Sequence, residues 1–309
     1  VLLHLAIPEV ELNRERNVVL EEIRQASDNP DWMGYQALYK SVYQQHPYGR
    51  SVLGREENVA RHGAEQLRCF HRAHYQPENM TVSIAGGIDS SKAFDLVNRT
   101  FDKFAQPCFD CPPTHKPQKP SINRIRRQEI QIPRLEQARL LMGWLAPGVE
   151  QVRIGYGLDL LSVVLGGGRT SRLVRDLREN KQLVYGIHSS FSLQQQSSLF
   201  AINAWLEPEQ LEQVEELIQL HLQRLISQKI NEKELTRAKR LLCNDYAFST
   251  ETPNQIAGLY GYYNTIASAE LSVTYPQQIQ SFDAEELQWI AYTYLSPEHY
   301  AVTVVKSQE

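Results

Sequence analysis

The chain has 309 residues, and its hydrophobic fraction of 42% and charged fraction of 22% are ordinary for a soluble globular protein with two domains. A net charge of −4 gives no electrostatic reason to expect a nucleic acid or an anionic membrane as a partner. The longest apolar runs are far too short to span a bilayer, so we expect no membrane span.

Residues 1–105 form the first predicted domain. Apolar residues at helical spacing predict helices over 9–26, 32–43, 64–74 and 89–104, and an alternating apolar segment predicts a strand over 80–85. The segment 106–120 contains five prolines and is therefore predicted to be an extended linker.

Residues 121–309 form the second predicted domain. Strands are predicted over 127–132, 138–145, 183–191, 199–206 and 300–305, and helices over 152–165, 171–178, 208–227, 232–248, 254–267 and 284–294. Strands grouped with long helices and short links predict an α+β fold, in which helices pack on one face of a mostly antiparallel sheet.

The two domains share a repeated segment. Tyr75-Gln-Pro-Glu-Asn-Met-Thr-Val-Ser-Ile84 recurs as Leu295-Ser-Pro-Glu-His-Tyr-Ala-Val-Thr-Val304, and the two prolines lie 220 positions apart. Two full copies at this spacing would need about 440 residues, so we expect the first copy to lack roughly 100 residues of a complete unit. The sequence therefore predicts two homologous domains, of which the first is truncated.

The first helix places two carboxylates on its apolar face. At about 100° per residue, Glu15 and Glu22 share the bearing of Leu12, Val19 and Ile23. A buried carboxylate needs a cation, a metal or a shared proton, although pairing with buried arginines or a place at the rim of the face would explain the pattern equally well. The pattern alone leaves these alternatives open.

The repeat distinguishes the two acids. A shift of 219 positions places Glu15 on Glu234 and Glu22 on Leu241. The second copy thus has an apolar residue where the first has an acid, which is the difference expected if one copy is specialised.

Several motifs in order resemble one family. Asn13-Arg-Glu-Arg-Asn-Val-Val-Leu-Glu-Glu-Ile23, His46-Pro-Tyr-Gly-Arg50, Gly166-Gly-Gly-Arg-Thr-Ser-Arg-Leu173 and Leu177-Arg-Glu-Asn-Lys-Gln-Leu-Val-Tyr185 are similar to segments of the insulinase, pitrilysin and mitochondrial-processing-peptidase family of zinc proteases. The resemblance covers nearly the whole chain. It implies paired α+β domains that enclose a chamber in which an unfolded peptide is cut.

The resemblance also implies a zinc site that this sequence holds only in part. The family's zinc is bound by an inverted His-x-x-Glu-His helix and a glutamate far downstream. By position, Glu22 matches that metal ligand and Glu15 matches the acid that supports the site. No His-x-x-Glu-His occurs in the sequence, so we expect Zn²⁺ in the intact protein and an inactive chain on its own.

Arg178 and Tyr185 resemble the arginine and tyrosine that reach the active site from the second domain. A guanidinium and a phenol can hold a substrate carbonyl and stabilise an oxyanion. The alternative makes Arg178 a cation at a helix end and Tyr185 a strand residue packed on the sheet. The glycines at 166–168 lack the phosphate-loop signature and are predicted to form a helix-to-helix turn. The family resemblance implies that this turn lies near the bound peptide.

The predicted function is therefore a bacterial-type zinc endopeptidase for unfolded peptides, in the cytoplasm or periplasm, acting as a homodimer or heterodimer. A non-catalytic subunit that binds substrate for an active sister chain is the alternative. A thiol redox protein is a third possibility, because Cys108 and Cys111 have the CxxC spacing, but their proline-rich context favours two linker thiols. The other histidines, His188 and His221 among them, form no ligand spacing and are assigned to the surface or to packing.

Overall fold

The computed structural model of the chain describes residues 5–101, 117–133 and 135–308. The helices are α1 (Glu9–Ser27), α2 (Pro30–Tyr43), α3 (Glu56–Arg61), α4 (Ala64–His74), α5 (Ser90–Phe101), α6 (Val152–Gly166), α7 (Leu211–Ser227), α8 (Glu232–Phe248), α9 (Pro253–Ile266), α10 (Glu270–Ser281) and α11 (Ala284–Tyr294). The strands are β1 (Arg126–Ile132), β2 (Ala138–Pro147), β3 (Gly186–Ser192), β4 (Ser197–Leu206) and β5 (Ala301–Ser307). The mixture of helices and sheet confirms the predicted α+β class.

The five strands form one sheet in the order β1-β5-β2-β4-β3. Strands β1 and β5 are parallel, and the other neighbouring pairs are antiparallel. Sequence neighbours β3 and β4 form a hairpin, while β5 lies between β1 and β2 although it comes from the end of the chain. The sheet thus ends at β3 on one side, and this edge strand lies beside the candidate site.

Helices cover both faces of the sheet, although the sequence predicted helices on one face. On the first face, α6, α7 and α11 pack against Met142, Trp144 and Val302. On the other face, Leu38 and Val42 of α2 belong to a second apolar cluster. The helices α6, α7 and α11 of the second predicted domain thus lie on one face, as predicted, and the second face is covered by α2, which the sequence assigned to the first domain. Strand β4 is accordingly buried almost without interruption.

The motif His46-Pro-Tyr-Gly49 fixes the chain after α2 to the turn between β3 and β4. His46 is 5% exposed, and its Nε2 lies 3.0 Å from the side-chain oxygen of Gln196. The Tyr43 hydroxyl donates to the carbonyl of Ser197 at 3.0 Å, and the backbone N–H of Gln196 donates to the Tyr48 hydroxyl at 3.3 Å. This motif therefore secures a helix to the sheet.

The chain divides into two compact units. The first contains residues 1–26, 51–116 and 249–272, and the second contains residues 27–50, 117–248 and 273–309. The domains 1–105 and 121–309, which the sequence repeat predicts, remain a prediction. The compact units differ from these domains in two segments. Residues 27–50 pack with the second unit, and residues 249–272 with the first.

In the first unit, the segment 80–85 forms no strand, so this prediction was wrong. Its apolar side chains are largely uncovered, since Val82 is 50% exposed and Ile84 is 48% exposed. A strand needs a hydrogen-bonded neighbour, and no strand of the described residues lies beside this segment. The alternating apolar pattern is present, but within the described residues no strand pairs with it.

Candidate functional site

The two residues that the family spacing singles out line one cavity in the second unit. The cavity has a volume of about 360 Å³, and both Arg178 and Tyr185 contribute to its wall. The remaining lining residues are Gly166, Gly168, Arg169, Val174, Gly186, Ile187, His188 and Trp205. The sequence motifs of the glycine loop and of 177–185 thus meet at the edge strand β3, while the catalytic role of Arg178 and Tyr185 remains a prediction.

The glycine loop at 166–168 needs each of its glycines for a different reason. A Cβ on Gly166 would lie 2.4 Å from the backbone nitrogen of Ser189, so only glycine lets the end of α6 approach β3 this closely. A Cβ on Gly167 would lie 2.7 Å from the carbonyl oxygen of Val163. Gly168 has φ +81°, which favours glycine. The motif therefore encodes a tight turn against the edge strand.

Side chains from two other segments hold this loop. The Ser171 hydroxyl, which is fully buried, donates to the carbonyl of Gly168 at 2.7 Å. A guanidinium nitrogen of Arg237 in α8 donates to the carbonyl of Gly167 at 2.9 Å. Arg172 forms a bidentate pair with Glu234, at 3.0 and 2.8 Å. The repeat counterpart of Glu15 is thus a structural ion-pair partner in the second unit.

Arg178 lies on a π-helix over Val174–Asn180 rather than on the predicted α-helix over 171–178. Its nearest acid is Glu179, at 3.9 Å, and the other oxygen of Glu179 accepts from Arg169 at 2.9 Å. The hydrogen bond from Arg169 lowers the pKa of Glu179. The Glu179 carboxylate therefore contacts two guanidinium groups, that of Arg169 closely and that of Arg178 at the longer distance. The Arg178 side chain is 50% exposed and is available to a ligand.

Tyr185 is 54% exposed and donates its hydroxyl hydrogen bond to the carboxylate of Glu207. This hydrogen bond raises the pKa of Tyr185. The phenol therefore remains protonated and is oriented by an acid that the sequence did not single out.

An aromatic pair forms another part of the wall. The His188 ring stacks on Trp205 with ring centroids 5.2 Å apart, and its Nε2 lies 3.2 Å from the amide nitrogen of Asn203. Because that nitrogen is a donor, Nε2 accepts and the ring proton is on Nδ1. Burial lowers the pKa of His188, so the imidazole is neutral near pH 7. The sequence assigned His188 to surface or packing, whereas the structure places it in the cavity.

Glu15 and Glu22 lie in the first unit on α1, and both are exposed. Helix α1 has no buried residue, so the expectation that these acids face a core was wrong for the described chain. In the described residues, no group of three or more His, Cys, Asp or Glu side chains could hold a metal ion. These residues do not fit a zinc site by themselves, and the role of Glu22 as a ligand and that of Glu15 as its support remain predictions.

Two further features bear on the sequence predictions. Cys108, Cys111 and most of the predicted linker lie outside the described residues. Within the described ranges, no helix has the length and apolar character needed to cross a membrane.

Comparison with known proteins identifies the chain's relatives. The family model described as the peptidase M16 inactive domain matches residues 63–242. An uncharacterized zinc protease of Bacillus subtilis, YmxG, is 34% identical over 81% of this chain and 59% of its own length. The chain spans 57% to 59% of the length of the first three curated relatives that it matches.

Solved structures share the fold. A protease from Helicobacter pylori superposes with a TM-score of 0.89 and 25% identity over 98% of this chain and 73% of that protein. The M16 inactive domain from Pseudomonas fluorescens superposes with a TM-score of 0.84 and 21% identity over 100% of this chain and 73% of that protein, which shows the fold alone. The match over 63–242 confirms the resemblance to the insulinase and pitrilysin zinc proteases: the chain belongs to the M16 peptidase family and contains its inactive domain.

Proposed function

We propose that this chain is the substrate-holding part of an M16 zinc endopeptidase that cleaves unfolded peptides, and that it does not hydrolyse peptides on its own. The observation that carries the proposal is the cavity at the edge of β3, which brings Arg178, Tyr185 and the glycine loop together. The names of relatives such as the zinc protease YmxG support the enzyme class.

An edge strand with an adjoining cavity suits an extended peptide. Strand β3 ends the sheet of the described residues, so a peptide can add to it through main-chain hydrogen bonds. Side chains of an added strand would alternate between the two faces of the sheet. Most strands of a folded protein are already paired within their own sheets, so an unfolded polypeptide is the proposed substrate.

The polar groups of the cavity suit a peptide carbonyl. The guanidinium of Arg178 is half exposed and is a permanent donor. The Tyr185 hydroxyl can donate to the same carbonyl once it leaves Glu207. Donors placed in this way bind a substrate carbonyl and stabilise negative charge that develops on its oxygen.

The metal is the part of the proposal that the described residues do not supply. Glu22 would be one ligand of an M16 zinc site, and the partner ligands would come from a His-x-x-Glu-His segment. The matched relatives are longer than this chain. We propose that the coding sequence upstream contains this segment roughly 75 to 80 residues before Glu22, a spacing that the family resemblance implies.

The alternative is a non-catalytic subunit that binds substrate for an active sister chain. It would use the same cavity, and the match to a domain described as inactive is compatible with it. A homodimer or heterodimer that closes around the peptide fits either function. The upstream coding sequence decides between them, because an intact His-x-x-Glu-His selects the enzyme and its loss selects the subunit.

Binding is tested with fluorescein-labelled, reduced and carboxymethylated lactalbumin, with the native disulfide-bonded protein as control. We expect the anisotropy to rise only with the unfolded form, and Arg178→Ala to weaken binding about tenfold, the value of a hydrogen bond to a charged group. Arg224→Ala, which removes an arginine of α7 that does not line the cavity, should bind as the wild type does. Equal binding of both lactalbumin forms would contradict the proposal.

Hydrolysis is tested by incubating the same unfolded lactalbumin with the chain and Zn²⁺, with and without a chelator. We expect no chelator-sensitive cleavage. Robust cleavage that the chelator abolishes would overturn the claim that this chain lacks a complete site.

A further inference from the structure

The π-helical turn that carries Arg178 is held by contacts of the Asp176 side chain. Asp176 lies two residues before Arg178, and its two carboxylate oxygens have different partners. Oδ1 accepts from Lys181 Nζ at 2.5 Å, and Oδ2 lies 2.8 Å from Nε2 of His221 in α7. We propose that His221 and Asp176 are positioning residues, which fix this turn so that Arg178 faces the cavity. The inference rests on the proposed peptide-binding function.

The π-helix makes such an anchor necessary. Its wider turn is rare and is found frequently at functional sites. The backbone N–H of Lys181 donates to the carbonyl of Asp176 at 3.0 Å, and that of Leu183 donates to the carbonyl of Leu177 at 2.8 Å. Gln182 between them has φ +54°, which is uncommon for a residue other than glycine. An irregular turn of this kind persists when surrounding contacts fix it.

Asp176 contacts both Lys181, at the end of the turn, and His221 of the buried helix α7. It binds Lys181 through its backbone carbonyl and its side chain, so the turn is closed twice. His221 is 7% exposed on α7, a helix whose Ile218 and Leu222 are fully buried in the main core. The hydrogen bond from His221 thus fixes the segment between Arg178 and β3 relative to the well-packed helix α7.

The protonation states fit a hydrogen bond from a neutral donor to a charged acceptor. Burial lowers the pKa of His221, against the opposing effect of Asp176, so the imidazole is neutral near pH 7. Burial alone would raise the pKa of Asp176, but the hydrogen bonds from Lys181 and His221 lower it. The carboxylate is therefore ionised, and Nε2 of His221 carries the proton that it donates.

Two substitutions and one matched control test this role. His221→Leu removes the donor, and His221→Gln keeps a nitrogen donor at a similar distance. Tyr300→Phe is the control, because its hydroxyl donates to Glu215 on the same helix at 2.7 Å without contacting the turn. Asp176→Asn replaces His221→Leu if the latter does not fold.

The first measurement is amide hydrogen exchange at Lys181 and Leu183, relative to amides of β4. We expect His221→Leu to accelerate exchange at these two amides about tenfold, as the loss of a hydrogen bond to a charged group predicts. Tyr300→Phe should leave this ratio unchanged, and His221→Gln should restore it. An unchanged ratio in His221→Leu would overturn the proposal.

The second measurement is coupling to Arg178 in binding of unfolded, carboxymethylated lactalbumin. If His221 acts through Arg178, His221→Leu weakens binding in the wild-type background and has no further effect in Arg178→Ala. Losses that multiply in the double variant would refute positioning, because a merely structural role has no reason to depend on Arg178. If the wild type does not bind lactalbumin, the proposed function fails, and the exchange measurement alone decides whether His221 fixes the turn.

Discussion

The close contact between Gly166 and β3 predicts that Gly166→Ala, which adds one methyl group, lowers the free energy of unfolding substantially. In Gly166→Ala, the new Cβ would lie 2.4 Å from the backbone nitrogen of Ser189, 2.5 Å from its hydroxyl oxygen and 3.0 Å from the carbonyl carbon of His188. A side chain could rotate away, but the nitrogen belongs to a strand that is paired with β4. The end of α6 must therefore move. We expect the free energy of unfolding of the second unit to fall by about 2–3 kcal/mol, the upper part of the range for overpacking.

The assay uses the position of the tryptophans. All four, Trp32, Trp144, Trp205 and Trp289, lie in the second unit, so urea unfolding followed by tryptophan fluorescence reports on that unit. Gly168→Ala is the matched control in the same loop. Its Cβ meets nothing within 4 Å, and the φ of +81° alone should cost about 1–2 kcal/mol. The reasoning is refuted if Gly166→Ala destabilises no more than Gly168→Ala.

Two further predictions use the same assay. Burial and Asp245 raise the pKa of Asp159 to about 6, against the hydrogen bond from Tyr275, so the folded state favours the protonated acid. The stability that this group contributes is present below about pH 4 and is lost as pH rises to about 6. The free energy of unfolding of Asp159→Asn should therefore rise relative to that of the wild type by up to about 3 kcal/mol across that interval. A difference between the two proteins that does not change with pH would contradict this. Arg172→Ala removes the ion pair of the mostly buried Glu234, whose carboxylate keeps the hydrogen bond from Asn231, and should cost up to about 3 kcal/mol. Arg172→Lys, which keeps the charge without the bidentate geometry, should cost less. Equal losses would show that geometry is unimportant there.

Helices with strong local signals could be predicted from the sequence almost to the residue. The predicted helix over 152–165 is α6, Val152–Gly166, because an apolar run ends at three glycines. Helix α10 was missed because Pro276 lies inside it, and proline usually ends a helical pattern. The π-helix was predicted as an α-helix, since both place Val174 and Leu177 on a buried side. Residue spacing does not distinguish them, whereas the hydrogen bond from Lys181 to Asp176 does.

The candidate site could be predicted only where one motif contains it. Arg178 and Tyr185 belong to a single segment, so the family spacing identifies both. The contribution of Trp205 depends on the register that pairs it with Gly186 across β3 and β4, and no local pattern contains that pairing. His188 gave only a weak signal, because it lies three residues beyond the end of that motif at Tyr185. Contacts across strands are thus the part of the site that needs the structure.

The repeat shows which acid of α1 carries information about function. Glu234, the counterpart of Glu15, is held by Arg172 in an ion pair, so an acid at this position is explained by packing alone in the second copy. The presence of Glu15 is therefore compatible with inheritance of a structural residue. Glu22 has no such explanation, since its counterpart is Leu241 in α8. Glu22 is exposed and Leu241 is only partly buried, so burial does not demand a partner for this acid. The difference between the two copies is therefore what ties the proposed metal role to Glu22 rather than to the pair.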